Sequence, residues 1–299
     1  MTLRRVFLAG ASGQLGAAVA GELTGCDVTA PSSATLDVAD PDAVRRAVAG
    51  ARPDAVINCA AFNDVDGAED RVETALAVNA FAVRSLARAA EDAGAVLVHY
   101  STDFVFDGRA TEPYAEDAAP SPRGAYAASK LLGEWFALDA PYALVLRVES
   151  LFGTPRGWTG RRGSLEAIVD GLEAGREVRV FSDRVVSPGY VHDIAAATRR
   201  LLDVGAAAGL YHCVNGGAAT WEEIARAAAR LLGVEPRLRA VTTDQVVLGA
   251  PRPRYCALAT GKLAAAGFTM PTWQDALRRW LAARGPSPPG PQARPCSSA

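Results

Sequence analysis

Cysteine is sparse in this chain: Cys26, Cys59, Cys213, Cys256 and Cys296 are scattered through 299 residues and never form a CxxC pair. That excludes a disulfide framework and a zinc knuckle, and it fits a reducing cytosol. Histidine is scarcer still. His99, His192 and His212 stand far apart and match no ligand spacing, so no metal site is expected. Any run of about 18 uncharged apolar residues is also missing, which argues against a membrane-spanning helix. Nor is there a dominant charge. With 31 basic and 33 acidic residues, a formal net charge of -2 gives no field that would draw the molecule to nucleic acid or an anionic membrane. Any phosphate it binds must be held locally.

What is present is apolar substance: 49% hydrophobic against 21% charged residues, the balance of a globular protein with a sizeable core. Strand-length apolar runs alternate with alanine-rich helical stretches through the first half, the pattern of βαβ units around a parallel sheet. Strands are expected at Arg5–Ala9, Asp27–Ala30, Ala55–Cys59, Val96–Tyr100 and Leu144–Val148. Helices are expected at Leu15–Leu23, Pro41–Ala49, Arg71–Ala93 and Ala125–Ala137. Parallel strands buried on both faces read as unbroken apolar runs, as VFLAG, AVINCAA and AVLVHYS do. The fold class is therefore α/β with a doubly wound parallel sheet. The apolar run Val6–Ala9 is too short for a signal-peptide core and reads as a buried first strand.

Beyond about residue 150 the alternation weakens. Gly153 to Gly163 is rich in Gly and Arg, and a helix near Leu165–Ala174 and a strand near Val178–Phe181 follow. This reads as a lobe above the sheet, with Val191–Leu202 a helix returning to the main domain. Gly285 to Ala299 holds five prolines and no apolar period, the composition of a disordered tail.

The first strand runs into Gly10-Ala-Ser12-Gly13-Gln14-Leu15-Gly16 and a helix begins at once. Such a turn brings backbone amides against a pyrophosphate and points a helix N-terminus at the anion. Glycines at this spacing also occur by chance, but the position opening the first βα unit favours the dinucleotide reading. At the end of the second strand, where an acid would grip a ribose 2′-hydroxyl, stands Ala30-Pro31-Ser32-Ser33. NADPH is thus permitted, and NADH is not excluded. Asp37 and Val38 fall where the adenine edge would come, although a turn leading to the helix start at Asp40-Pro41 explains Asp37 equally well.

Tyr126 and Lys130, four apart on a predicted helix, share one face. A nearby ammonium stabilises a phenolate and brings a tyrosine toward the working range for proton transfer. Thr102, in Tyr100-Ser101-Thr102-Asp103 at the carboxyl end of a strand, can donate to a carbonyl oxygen. A hydroxyl, a phenol and an ammonium together suit carbonyl reduction.

These motifs resemble the extended short-chain dehydrogenase/reductases, and within them the dTDP-4-dehydrorhamnose reductase group, over nearly the whole chain. The matching stretches are GASGQLG at 10–16, RPDAVINCAAFNDVDGAE at 52–69, NAFA at 79–82, HYSTDFVFDG at 99–108, YAASKLLGE at 126–134 and VSPGYVHDIAAA at 186–197. GLYHCVNGGAATW at 209–221 and RPRYCAL at 252–258 extend the match into the second lobe. The resemblance implies a reductase of the 4-keto group of a nucleotide-linked, dTDP-type deoxysugar. It implies residues 1–149 with about 184–215 as an NAD(P)-binding Rossmann domain and about 150–183 with 216–285 as a smaller C-terminal α/β substrate lobe, leaving 286–299 as the tail. It assigns Thr102, Tyr126 and Lys130 as catalytic. Gly10, Ser12, Gly13, Gln14, Leu15, Asp37, Val38, Cys59, Ala60, Ala61, Asn79, Tyr126 and Lys130 would hold the cofactor, and Asp103, Phe104, Ser150 and Arg252 the substrate. A cytoplasmic enzyme, forming a homodimer, is expected.

Two departures bear on the sugar. Rhamnose-forming members usually carry Tyr after Ser-Thr-Asp and Trp a few residues past the arginine that ends the fifth strand; here Phe104 and, aligned on Arg147, Ser150 stand there. Arg156, Arg161 and Arg162 could reach a diphosphate, but a solvated loop is the plainer reading. Rival functions on the same fold are the 4,6-dehydratases, 4-epimerases and catalytically idle binding homologues such as the regulatory subunit of methionine adenosyltransferase. Dehydratases follow the threonine with Asp-Glu; Phe104 after Asp103 cannot take a proton, which disfavours elimination.

Overall fold

The computed structural model describes residues 3–160 and 163–284. Five parallel strands and the helices between them build the first half: β1 (Arg5–Ala9), α1 (Gln14–Glu22), β2 (Asp27–Thr29), α2 (Pro41–Ala51), β3 (Ala55–Asn58), α3 (Gly67–Asp70), α4 (Val72–Leu76), α5 (Ala82–Asp92), β4 (Val96–Thr102), α6 (Ala125–Leu138) and β5 (Ala143–Val148). The strands lie where the apolar runs placed them, within a residue or two at their ends. β6 (Leu151–Phe152), α7 (Ser164–Glu173), β7 (Val178–Phe181), β8 (Val185–Val186) and β9 (Gly189–Tyr190) follow. Then come α8 (Val191–Val204), β10 (Gly209–His212), β11 (Ala219–Thr220), α9 (Trp221–Leu232), β12 (Leu238–Val241), α10 (Gly261–Ala265) and α11 (Trp273–Arg284).

The main sheet has the order β10-β5-β4-β3-β1-β2, and every pairing in it is parallel. α1 and α8 cover one face, with Leu15, Val19, Ile194 and Leu201 packed on Val6, Leu8 and Ile57. α2 and α5 cover the other, with Val44, Val48, Val83 and Leu86 on Phe7, Val56 and Leu97. The expected doubly wound sheet is therefore the one observed. β10 was not anticipated as a strand, because its four residues, GLYH, are too short a run to stand out.

The single helix expected over Arg71–Ala93 is instead interrupted by a π-turn at Ala77–Phe81. At Gly133, α6 crosses this turn so closely that a Cβ would sit 2.1 Å from the Asn79 carbonyl oxygen. The Asn79 side chain leaves the helix to grip the loop after β3, accepting from Phe62 N at 2.8 Å and donating to Phe62 O at 3.1 Å. Locally widened helices of this kind are common at functional sites.

The second half forms its own core, in which Trp221, Trp273 and Trp280 are buried with Phe152, Leu165 and Ile224. β12 pairs with β7, β11 with β8, and β6 with β9. α9 begins with a capping box between Thr220 and Glu223. Leu263 and Met270, late in the chain, pack into the core of the main sheet. The expected tail at 286–299 lies outside the described residues.

Candidate active site

Strand order changes direction between β1 and β3, and the carboxyl ends of strands at such a switch point are where doubly wound sheets bind ligands. The glycine turn lies there. Gly10 adopts φ +77, and a Cβ on it would meet Ala60 N at 2.5 Å and the Cys59 carbonyl carbon at 2.6 Å, so only glycine lets the turn lie against the end of β3. At Gly16 a Cβ would fall 2.1 Å from Gly10 O, so α1 packs on its own turn through that glycine. Gly13 differs: its nearest neighbour would be Gly10 O at 3.3 Å, it is exposed with Ser12, and it starts α1 with no side-chain cap. The two flanking glycines shape the turn; the Gly13 amide closes it by donating to Gly10 O at 3.0 Å, and the N-terminus of α1 that follows has no side-chain cap, the form that can face a pyrophosphate.

Around this turn, Gln14 Nε2 donates to Gly153 O at 2.8 Å and to Glu166 Oε1 at 3.0 Å, tying the loop to the second lobe. The Leu15 side chain is buried in the core. Cys59, Ala60 and Ala61 are partly exposed beside the turn, held by Asn58 Oδ1, which accepts from Ala60 N at 3.0 Å. Asn79 lies beneath them, its amide engaged with Phe62 and, at 3.0 Å, with Ser129 Oγ, so it holds the loop in place. Asp37 is exposed and accepts from Ala39 N, Val38 packs toward the core, and Asp40 caps α2. The turn reading of Asp37 is thus the one that its contacts support.

Thr102, Tyr126 and Lys130 are all buried, Thr102 at the end of β4 beside Tyr126 of α6, and Lys130 one turn further along α6 with its Nζ on the backbone of β4. Two details correct the sequence reading. The Thr102 hydroxyl donates to Asp103 Oδ1 at 2.9 Å while accepting from Phe104 N, so its one proton points to a carboxylate. Lys130 Nζ donates to Tyr100 O at 2.6 Å and does not figure among the groups that shift the Tyr126 phenol. Burial foremost and the Asp103 carboxylate push that phenol above its ordinary value, while the neighbouring Thr102 side chain and the charge of Arg252 oppose them. Burial lowers Lys130 to about 8, with the Glu134 carboxylate opposing it.

Among the expected substrate contacts, the Phe104 ring meets Tyr126 edge-on at 5.7 Å, and the Arg252 guanidinium lies 5.8 Å above Phe104. Arg252 is fixed by Asp66 Oδ2 at 2.9 Å and Ala250 O at 2.9 Å. Ser150, half-buried, is held at φ +42, a left-handed conformation costly for a residue with a Cβ. Asp103, expected to touch substrate, is instead buried behind Thr102, close to Glu149 and Cys256. Among the described residues these three are the one group of His, Cys, Asp and Glu donors close enough to share an ion, and no histidine belongs to it. Arg156 is exposed, and Arg161 and Arg162 lie outside the described residues.

Residues 4–285 match the family described as the RmlD substrate binding domain. The chain belongs to that family. It is 39% identical over 289 residues to a dTDP-4-dehydrorhamnose reductase of Mycobacterium tuberculosis, covering 93% of each chain. It is 36% identical over 285 residues to a dTDP-4-keto-6-deoxy-D-glucose reductase of Streptomyces niveus, covering 93% of this chain and 94% of the relative. Its fold superposes on the crystal structure of a Bacillus anthracis dTDP-4-dehydrorhamnose reductase in complex with NADP, with a TM-score of 0.88 at 31% identity, covering 94% of this chain and all of the other.

Within this RmlD-family chain several residues escaped the sequence reading. Glu134 and Arg147 form a buried, two-pronged ion pair behind α6, and Glu149 accepts from Ser187 N at 2.8 Å. Glu134 was legible, since it follows Lys130 by one helical turn; a glutamate ending the apolar run of β5 was a signal as well.

Proposed function

We propose that this chain is an NADPH-dependent reductase of the 4-keto group of a dTDP-linked deoxysugar. The observation that carries the reading is the meeting of Thr102, Tyr126 and Lys130 at strand carboxyl ends beside an uncapped glycine turn. Gly10, Ser12, Gly13, the backbone of Gln14 and Leu15, and the loop Cys59 to Ala61 fit a dinucleotide, because only glycine satisfies the close approach at Gly10 and Gly16 while Ser12 and Gly13 stay exposed at the start of α1. Ala30-Pro31-Ser32-Ser33 offers no acid to repel a 2′-phosphate, which favours NADPH, with NADH as a second choice. When bound, the nicotinamide supplies the hydride. Tyr126 then protonates the oxygen as alkoxide character develops, Thr102 turns its hydroxyl to the same oxygen, and Lys130 offers its ammonium beneath them. Phe104 and Arg252 line the approach to Tyr126, where a sugar ring and an anionic group would lie.

A reductase is favoured over a dehydratase because Phe104 cannot move a proton. Incubating the protein with a panel of dTDP-4-keto-6-deoxysugars and NADPH or NADH, following absorbance loss and identifying the product, tests the proposal. Oxidation of NADPH with formation of a hydroxysugar supports it; binding without turnover on every keto sugar favours the idle homologue. The homodimer reading is supported by the exposed Phe81, Trp135, Leu138 and Tyr142 on and beside α6. Sedimentation checks it. No helix among the described residues is long and apolar enough to cross a membrane.

A further inference from the structure

Behind the candidate catalytic hydroxyl lie two carboxyls that the reduction itself does not use. Asp103 is 2% exposed and Glu149 3%, and a carboxyl oxygen of each lies with Cys256 Sγ in a group whose donor atoms are within 4.8 Å of one another. Each acid has one oxygen satisfied: Asp103 Oδ1 accepts from Thr102, and Glu149 Oε2 accepts from Ser187 N at 2.8 Å. Their other oxygens, Asp103 Oδ2 and Glu149 Oε1, are fully buried with no donor. Two ionised carboxylates so placed would be both mutually repelled and unsatisfied, a combination that drives one of a pair to keep its proton.

We propose that Asp103 and Glu149 hold one proton between their two unpartnered oxygens, and that this acid pair sets the direction in which Thr102 donates. The proton gives both orphan oxygens a partner and reduces the pair to a single negative charge. The charged and titratable groups facing the pair are Arg184, Cys256, Tyr126 and, beyond Tyr126, Arg252. Arg184 balances the remaining charge. Its nearness disfavours a divalent cation in the same place, as does Cys256, whose buried thiol is pushed up and donates to Pro253 O. Burial holds Asp103 at about 6 and Glu149 well above the ordinary carboxyl range.

For Thr102 the consequence is directional. A charged carboxylate is a much stronger acceptor than a neutral acid. With the pair fully ionised, Asp103 Oδ1 holds the Thr102 proton firmly; with the shared proton in place the same hydrogen bond is weaker, and Thr102 can exchange it for a keto oxygen beside Tyr126. Glu149 is therefore a positioning residue, which rests on the reductase reading above, whereas the shared proton does not.

Infrared spectra of the full-length protein carrying 13C-aspartate or 13C-glutamate, at pH 7.5, test the pair without substrate. A protonated-carboxyl carbonyl band is expected in the wild type, absent from Glu149→Gln and from Asp103→Asn. Absence of that band in the wild type, or its survival in both variants, overturns the proposal, as does one equivalent of Zn2+ or Mn2+ retained by the wild type and lost in Glu149→Gln. With a turned-over keto sugar, Glu149→Gln should lower kcat roughly 10-fold with little change in cofactor affinity, as one transition-state donor is misdirected. The loss should largely vanish in a Thr102→Val background; a fully additive loss refutes the link to Thr102. If Glu149→Gln does not fold, the Asp103→Asn spectrum decides the pair.

Discussion

The Arg147 guanidinium and the Glu134 carboxylate face each other as two parallel prongs, Nε to Oε1 at 2.8 Å and Nη2 to Oε2 at 2.7 Å, with both side chains almost wholly out of water. This pair ties β5 to α6 four residues beyond Lys130, and Arg147 also lies 4.8 Å over the Phe106 ring. Removing one member leaves a buried charge without its partner. Glu134→Leu is expected to cost about 3–5 kcal/mol, and adding Arg147→Met should recover most of it. Urea unfolding of the two single variants and the double one measures this; single variants as stable as the wild type would show that the pair is not desolvated.

The glycines of the first turn should separate by role. Gly16→Ala forces a Cβ against Gly10 O and is expected to lose roughly 1–3 kcal/mol of stability. Gly13 has ordinary backbone angles, φ -72 and ψ 163, and a Cβ there would meet only Gly10 O, at 3.3 Å, a far looser approach than at Gly10 or Gly16. Gly13→Val should therefore fold, with a smaller stability loss than Gly16→Ala, yet lose nicotinamide binding, because the side chain occupies the anion's approach. Titration of NADPH fluorescence checks it, and an unchanged affinity would remove this loop from the cofactor site.

How much of this was legible in sequence follows from which interactions are local. β1, β3 and β5 could be read because strands buried on both faces leave unbroken apolar runs, and Tyr126 with Lys130 because a four-residue spacing fixes one helical face. The π-turn at Ala77–Phe81 was not, since it depends on Gly133 of another helix letting α6 approach. The direction of the Thr102 proton and the meeting of Asp103, Glu149 and Cys256 were equally hidden, because each joins side chains that only the finished fold brings into contact.

Substrate choice should follow Phe104 and Ser150. The tyrosine hydroxyl and indole expected at these places in rhamnose-forming relatives are missing, and Ser150 is held in a left-handed conformation that a bulky ring would adopt at a cost of order 1–3 kcal/mol. dTDP-4-dehydrorhamnose is expected to be a non-preferred substrate. Comparing kcat/KM across keto sugars checks it, and equal or faster turnover of that compound than of any other would refute the inference.

Lys130, lowered to about 8 by burial, predicts two pH effects of opposite sense. Cofactor-bound activity should decline above about pH 8 as the ammonium is lost. Stability should move the other way: between about pH 8 and the ordinary lysine value near 10.4 the unfolded chain binds a proton that the folded chain does not, so folding gains with rising pH. Relative to Lys130→Met, the wild type should gain up to about 1.4 kcal/mol per pH unit across that window, read from urea unfolding at several pH values. A flat difference would mean that Lys130 titrates normally.

The decisive prediction concerns Tyr126. Reduction of a ketone builds negative charge on oxygen as hydride arrives, so a donor acting there works mostly in the transition state, and its loss appears in kcat more than in KM. Tyr126→Phe keeps the ring that stands edge-on to Phe104 and removes only the hydroxyl. General acid catalysis contributes on the order of 10² to 10⁴, so kcat should fall by that factor while NADPH still binds. Because burial and Asp103 hold the phenol above its ordinary value, it remains a neutral O–H at working pH, the form that a proton donor requires. Thr102→Val should cost less, roughly 10-fold to 1000-fold, as one hydrogen bond to the developing oxyanion is lost. Lys130→Met should lower both rate and cofactor affinity. A Tyr126→Phe protein with nearly full kcat on its best keto sugar would overturn this assignment, and would shift the proton donor to the Asp103–Glu149 pair acting through Thr102.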